Sequence, residues 1–468
     1  MTLSIKSIGG IINEVPKVTD LKITNTEQSS VDIEYKVEDV ELTICRHYLY
    51  LNGSKKEITK SIGYESFDNI FRYKITGLSK GTPYTIQIGA SDGHDEGLSQ
   101  AIHRNTQNIS LFGVKVDESN SNPYSCCTYI EDATGVAPAT PTTLGGWANK
   151  WPFNKIRMVG FKNGSVTNEI NPNDKRYYKA GYSVPSDVDV MVEIPKVYWN
   201  FTSTYNGYEV RISDFKVDAS YDCYAHKVGG REKDNIYVGA YLGNVEWSAL
   251  RSKSGVSPTT DTNIPNFRTY AQNVGTGYQL LNWYTLTLLQ ILYLIAYKNL
   301  NSQSALGMGL TTVGNKYNTG GTDSKGLIYG DSSGREQMCF LGIEDFWGNV
   351  AQWVDGIRLD RNYNILVTPD NQNFSNTGSG FENIGQTSLL NRGYTTKVLH
   401  TNKGGFMPIS ETGSSSTYYS DETYTRPNCF GRFGGSYSYN DGAGAFYLFF
   451  YNDDNGARPH LGARLVYM

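Results

Sequence analysis

Between Pro16 and about Thr106, apolar residues fall at every second position, in the runs DLKITN, SVDIEYKV, HYLYLNG, FRYKITGL and PYTIQIGASDG. A period of two sends alternate side chains to opposite faces, so each run reads as a half-buried strand. Asn52-Gly53 adds a hairpin signal, because both residues tolerate positive φ. No helical period of useful length interrupts the runs, and the segment is expected to be a β-sandwich of roughly 90 residues. His47, His94 and His103 lie apart in sequence and read as surface or turn residues.

The whole chain of 468 residues exceeds one ordinary core, so two or three domains are expected. A net charge of −4 gives no basic stripe for nucleic acid. Charged residues are only 19%, against 49 Gly and 35 Tyr, a balance that favours turns, short strands and contact surfaces over helical bundles. Cys45, Cys126, Cys127, Cys223, Cys339 and Cys429 form no CxxC, and bridging the adjacent pair would be strained. Free, buried thiols and synthesis in a reducing cytoplasm are therefore expected. The opening MTLSIKSIGGIINEV has neither the basic stretch nor the apolar run of a signal peptide. One strongly apolar run, LTLLQILYLIAY at 286–297, falls short of the roughly 20 residues of a spanning helix and reads as a buried core helix, without membrane insertion.

Residues 75–99, ITGLSKGTPYTIQIGASDGHDEGLS, resemble the closing half of a fibronectin type III domain. Leu78 and Tyr84 have the spacing of that family's tyrosine corner, while Tyr35 stands where a Trp is usual. The resemblance implies a spacer over 14–106, after an attachment segment at 1–13. Residues 107–468 then form one large irregular domain without repeats. Its anchors are expected to be Trp147, Trp151, Trp199, Trp283, Trp347 and Trp353, and its long polar loops lie at 369–380 and 410–423. The fold class expected overall is mostly β with α+β character and few helices.

Two motifs organise the large domain, EDFWGNVAQWVDG at 344–356 and GRFGGSYSYNDGAGAFYLFFYNDDNGARPHLGARLVY at 431–467. Together they resemble the C-type-lectin-like fold shared by formylglycine-generating enzymes and the variable proteins of diversity-generating retroelements. NPYSCCTYIEDATG, VMVEIPKVYW and DNIYVGAY are similar to tail-tip proteins of phages that infect Gram-positive bacteria.

An enzyme of the formylglycine family needs reactive thiols after its Gly-Gly-Ser motif. Here Cys429 precedes Gly434-Gly435-Ser436, and no cysteine follows. The six histidines show no HExxH or zinc spacing. Gly309…Gly314-Asn315-Lys316 approaches a P-loop but has Asn315 where its Lys belongs and Tyr317 where Ser or Thr belongs, and adjacent Glu344 and Asp345 are expected to diverge on a strand. The reading is a binder, not an enzyme. By resemblance a calcium ion would take Asp345, the carbonyls of Gly348 and Val350, and residue 352, but Gln352 replaces the acid, which favours a neutral hydrogen-bonded turn and no cofactor.

In the retroelement family, fixed positions pack the fold and the positions between them meet a target. Ala443, Gly444, Ala445, Phe446, Tyr447, Leu448, Leu461, Gly462 and Arg464 match the fixed part, with a core strand beginning within 442–448. The implied receptor-binding residues are Tyr437, Tyr439, Asn440, Asp441, Phe449, Tyr451, Asn452, Asp453, Asp454, Arg458 and His460, flanked by Ser438 and Asn455. Most can be reached by changing the adenines of an Asn codon, the way such retroelements diversify. Tyr, Asn, Asp and Arg are also the chemistry of a paratope, whereas a merely solvating edge favours Lys and Glu, absent from 434–468. The resemblance implies a phage tail protein of the virion, made in the host cytoplasm. It would be a homotrimer docked to baseplate proteins, binding a bacterial glycan, teichoic acid or surface protein. A phage-tail-like bacteriocin fibre and a retroelement-diversified surface protein are the alternatives.

Overall fold

Alternating apolar residues in the N-terminal part pair into two antiparallel sheets in a computed structural model. Described are residues 14–27, 29–38, 46–59, 64–67, 69–106, 110–387 and 391–468, which leaves segment 1–13, expected to serve attachment, and Cys45 outside the described residues. They are mostly β, with 39% in strands and 9% in helices. The chain divides into two compact units, Met1–Ile109 and Ser110–Met468.

In the first unit, one sheet runs in the order Lys17–Thr26, Ser30–Glu38, Ile70–Thr76, Tyr64–Phe67. The other runs Ser54–Glu57, Arg46–Leu51, Pro83–Ser91, with Glu96–Leu98 and Ile102–Asn105 both paired to Pro83–Ser91. Val31, Ile33, Tyr35, Ile75, Ile86 and Ile88 fill the space between them. Tyr84 accepts a hydrogen bond from the Ser79 amide at 2.8 Å, fixing the turn that enters Pro83–Ser91. His47 departs from the surface reading. It is 2% exposed, shares a 2.8 Å hydrogen bond with the Tyr35 hydroxyl and lies edge-on to Phe71. Burial holds its pKa down at about 4, so the ring is a neutral core group.

The second unit is built on three larger sheets. A four-stranded sheet orders Cys127–Glu131, Leu111–Asp117, Gly207–Ser213 and Tyr198–Thr204. A six-stranded sheet ends on Leu465–Tyr467 and Tyr278–Leu280. The eight-stranded sheet runs Glu382–Gln386, Asn364–Val367, Ala351–Leu359, Phe430–Phe433, Leu448–Asn452, Glu422–Thr425, Gly393–Tyr394, with Leu461–Gly462 alongside Ala351–Leu359.

At the centre lies the helix Trp283–Tyr297, in which every residue is buried. Asn282 caps it by accepting from the Thr285 amide at 2.9 Å, and Lys298 ends it in the left-handed conformation. Among the described residues no helix is long and apolar enough to cross a membrane. Trp147, Trp199, Trp283, Trp347 and Trp353 are fully buried. Each indole N–H finds an acceptor, such as the carbonyls of Lys403 for Trp283 and Thr262 for Trp353. Trp151 is only partly buried, and Trp247, at the tip of a hairpin, is fully exposed.

Candidate functional site

The two sequence motifs meet as neighbouring strands. Gln352 pairs with Phe433 and Trp353 with Arg432, while Ala351 and Gln352 pair in parallel with Leu461 and Gly462. Between the motifs, the Gly348 amide reaches the Gly434 carbonyl at 3.2 Å and the Tyr437 amide reaches the Asn349 carbonyl at 3.0 Å.

Arg464 occupies the centre of this junction. Its guanidinium donates to Gln352 Oε1 at 2.7 Å and to the carbonyls of Gly239, Glu344 and Asp345 at 2.8 to 2.9 Å. Gln352 points its own Nε2 at the carbonyls of Asp345 and Phe346. Gln352, one of the residues implied for calcium, thus gives its oxygen to Arg464 and turns its donor toward the loop. The set so formed holds one carboxylate, Asp345, whose Oδ1 has no hydrogen-bond partner, and a neutral amide where a second acid would add ligand charge.

Glu344 and Asp345 do not diverge as a regular strand would require. Gln337 Nε2 donates to both, at 3.2 and 2.6 Å, because Asp345 has φ near 48° and breaks the alternation. Burial and the adjacent Glu344 push the Asp345 carboxyl up to about 8. Both acids are sealed in the core and offer no surface for a reaction.

The strand expected within 442–448 begins only at Leu448, and Ala443–Tyr447 is a pinned loop. Gln290 Nε2 donates to the Ala445 carbonyl at 2.9 Å, the Ala445 amide to Ser302 Oγ at 2.9 Å and the Phe446 amide to Asp421 at 2.7 Å. Gly444 admits no side chain, since a Cβ would lie 2.1 Å from Asp421 Oδ1 and 2.4 Å from Ser302 Oγ.

Beyond that loop, Leu448–Asn452 pairs on both sides. Phe449 sits opposite Tyr424 on one neighbour and Arg432 on the other. Leu448 and Phe450 face the core, and Phe449 and Tyr451 face the opposite side. There an open recess of about 530 Å³ is lined by Asn391, Arg392, Tyr424, Arg426, Arg432, Tyr439, Phe449, Tyr451, Arg458 and His460.

Five of the expected contact residues, Tyr439, Phe449, Tyr451, Arg458 and His460, are thus brought together. Tyr437, Asn440, Asp441, Asp453 and Asp454 lie outside the lining: Asn440 and Asp441 on a short 3-10 turn, and Asp453 and Asp454 on the following loop. Two residues are not surface contacts. Phe449 and Asn452 are each 3% exposed, because Tyr447 and Arg432 cover the ring and the turn at Gly456 packs on Asn452. They support the recess from below.

The sequence reading missed Asn391, Arg392, Tyr424, Arg426 and Arg432. Arg432 is 4% exposed, with Tyr439, Phe449 and Tyr451 rings 5.2 to 5.8 Å from it. Its Nη2 donates to Tyr439 Oη at 2.9 Å, and its Nη1 reaches Asn452 Oδ1 at 3.3 Å and His460 Nε2 at 3.4 Å. Guanidinium only donates, so His460 Nε2 accepts and the ring proton sits on Nδ1. Burial, with Arg432 and Arg458 beside it, lowers the His460 pKa to about 4 and keeps it neutral at pH 7. Arg426 lies 4.1 Å over the Tyr451 ring, and Arg392 pairs with Glu422.

A second recess of about 500 Å³ is walled by the polar loop at Asn371–Phe374 together with Arg268. Its arginine is already neutralised by Asp355, at 2.6 Å. Among the described residues, one trio has metal-ligand character, Asp222, Cys223 and Glu232. Burial pushes the Cys223 thiol up to about 12, and Lys227 and Lys196 already pair with the two acids.

No family model matches the chain, and no curated protein matches it. Among solved structures, the Major Tropism Determinant I1 variant is similar at TM-score 0.28 and 12% identity, covering 83% of this chain and 81% of that one. The P3c variant of the same determinant reaches TM-score 0.24 at 12% identity, over 96% of this chain and 83% of that one. The FN5 domain of Drosophila Lar reaches TM-score 0.15 at 19% identity, covering 20% of this chain and 98% of its own. Likenesses at these TM-scores fix neither fold family nor function.

Proposed function

We propose that the chain is a receptor-binding protein of a phage tail. Its larger unit would attach to the host surface through the face formed by Glu422–Thr425, Phe430–Phe433, Leu448–Asn452 and the loop before Leu461. The observation that carries this reading is the convergence of Tyr439, Tyr451, Arg458 and His460 on one recess, over a rigid floor of buried Phe449 and Arg432. Aromatic rings and arginines held by a packed scaffold are the usual makings of a binding hot spot. A C-type-lectin-like reading of the unit is supported by the two motifs pairing as neighbouring strands. The strand order of the first unit and the Tyr84 hydrogen bond support a fibronectin type III spacer.

The binding is non-covalent, without cofactor or catalysis, in a homotrimer on the virion whose three faces raise avidity. The test uses the full chain, fluorescently labelled, on a panel of Gram-positive strains beside a Tyr439→Ala/Tyr451→Ala variant of equal thermal stability. The reading expects strain-selective binding by the parent and its loss in the variant. Equal binding by both would move the site elsewhere, and binding to no strain would remove the adhesin reading.

A further inference from the structure

Charge in the recess is one-sided. The described lining carries four arginines, Arg392, Arg426, Arg432 and Arg458, and no carboxylate. Arg392 alone has an acid partner, Glu422, with Nε to Oε2 at 2.9 Å. Among the described residues Arg432, Arg426 and Arg458 make no ion pair, although the chain as a whole is acidic at −4.

Arg432 is the telling member. An arginine with 4% of its surface exposed normally has a carboxylate against it, because an unpaired buried charge is costly. Here the neighbours are a phenol, an amide oxygen, a neutral imidazole and three aromatic faces. Its Nε, itself buried, has no hydrogen-bond partner, and the buried Tyr447 hydroxyl lies near the same guanidinium. A positive charge without a carboxylate therefore lies under an open recess whose other cations are exposed Arg426 and Arg458.

We propose that this recess binds an anionic glycan, seating a phosphodiester or carboxylate group among Arg426, Arg432 and Arg458 while Tyr424 and Tyr451 flank the adjoining sugar or polyol. Planar forked donors suit either oxyanion, and the page of aromatic rings beside them suits a carbohydrate face. The inference rests on the adhesin reading only for its biological setting, since the recess chemistry stands without it.

The test titrates the full chain with three purified polymers: a polyglycerol-phosphate teichoic acid, polygalacturonate as the carboxylate source and dextran as the neutral control. Expected is binding to an anionic polymer, weakened by added salt, with none to dextran; the preferred polymer assigns the oxyanion. Arg426→Gln/Arg458→Gln, which alters only exposed side chains, is expected to lose about tenfold or more in affinity at unchanged melting temperature. Arg432→Lys, which keeps the charge and loses the fork, is expected to lose affinity in part. No binding to either anionic polymer, or affinity unmoved by the double variant, overturns the proposal. On cells, binding that persists in Arg426→Gln/Arg458→Gln, or that protease treatment of the cells abolishes, overturns it while leaving adhesion standing. Polymer binding without cell binding does the reverse, sustaining the recess and removing the adhesin.

Discussion

Individual side chains set the rigidity of the site and its response to pH. Gly444 is held between Asp421 and Ser302 so closely that Gly444→Ala must displace one of them. A loss of roughly 1–3 kcal/mol is expected by denaturant unfolding, with the site strand loosened at its start. Glu118 is a buried acid accepting from Tyr419 Oη at 3.1 Å and the Val398 amide at 3.2 Å. Burial raises its pKa to about 7 from 4.5. A group whose folded pKa is raised contributes stability in full below the unfolded value and loses it as pH rises through the folded one. Glu118→Gln keeps the acceptor and removes the titration, so its melting temperature relative to the parent should climb between pH 5 and pH 8. His460 has the opposite sign. Its pKa falls to about 4, so its contribution is complete above 6.5 and fades as pH drops toward 4. A shift of its NMR ring signals between pH 7.5 and 6 would contradict the neutral imidazole beside Arg432.

Among the elements, the helix Trp283–Tyr297 bears most directly on the site, because Gln290 and Tyr293 hold the loop that leads into Leu448–Asn452. Its cap, Asn282, is fully buried, so Asn282→Ala should cost about 1–2 kcal/mol, at the upper end of cap losses, measured by chemical unfolding. The sequence showed this helix plainly, since a run apolar on every side and too short to span a membrane has few other places to go. The alternating strands of the first unit were equally legible. Half of the recess was not. Tyr424 and Arg432 reach it only because Glu422–Thr425 runs parallel to Leu448–Asn452 and Phe430–Phe433 runs antiparallel to it, and strand partners leave no local trace in residue order. Nor could alternation tell that Phe449 would be roofed by Arg432 and Tyr447, or that His47 would find Tyr35 in a core. A polar residue in a strand reads as exposed until its partner is known.

For the molecule as a whole, the pieces serve one end: a mostly β unit anchored by buried tryptophans, with its cationic aromatic recess at one face of the eight-stranded sheet. The net charge of −4 gives no long-range attraction toward an anionic surface, so the recognition proposed above would be local to the arginines. The most direct check of the central claim is amide hydrogen exchange of the full chain, free and on cell-wall fragments of a strain that it binds. The account predicts added protection confined to peptides covering 391–394, 422–432, 437–441 and 448–460. Protection centred instead on 369–380 would place the binding face at the second recess and contradict the account.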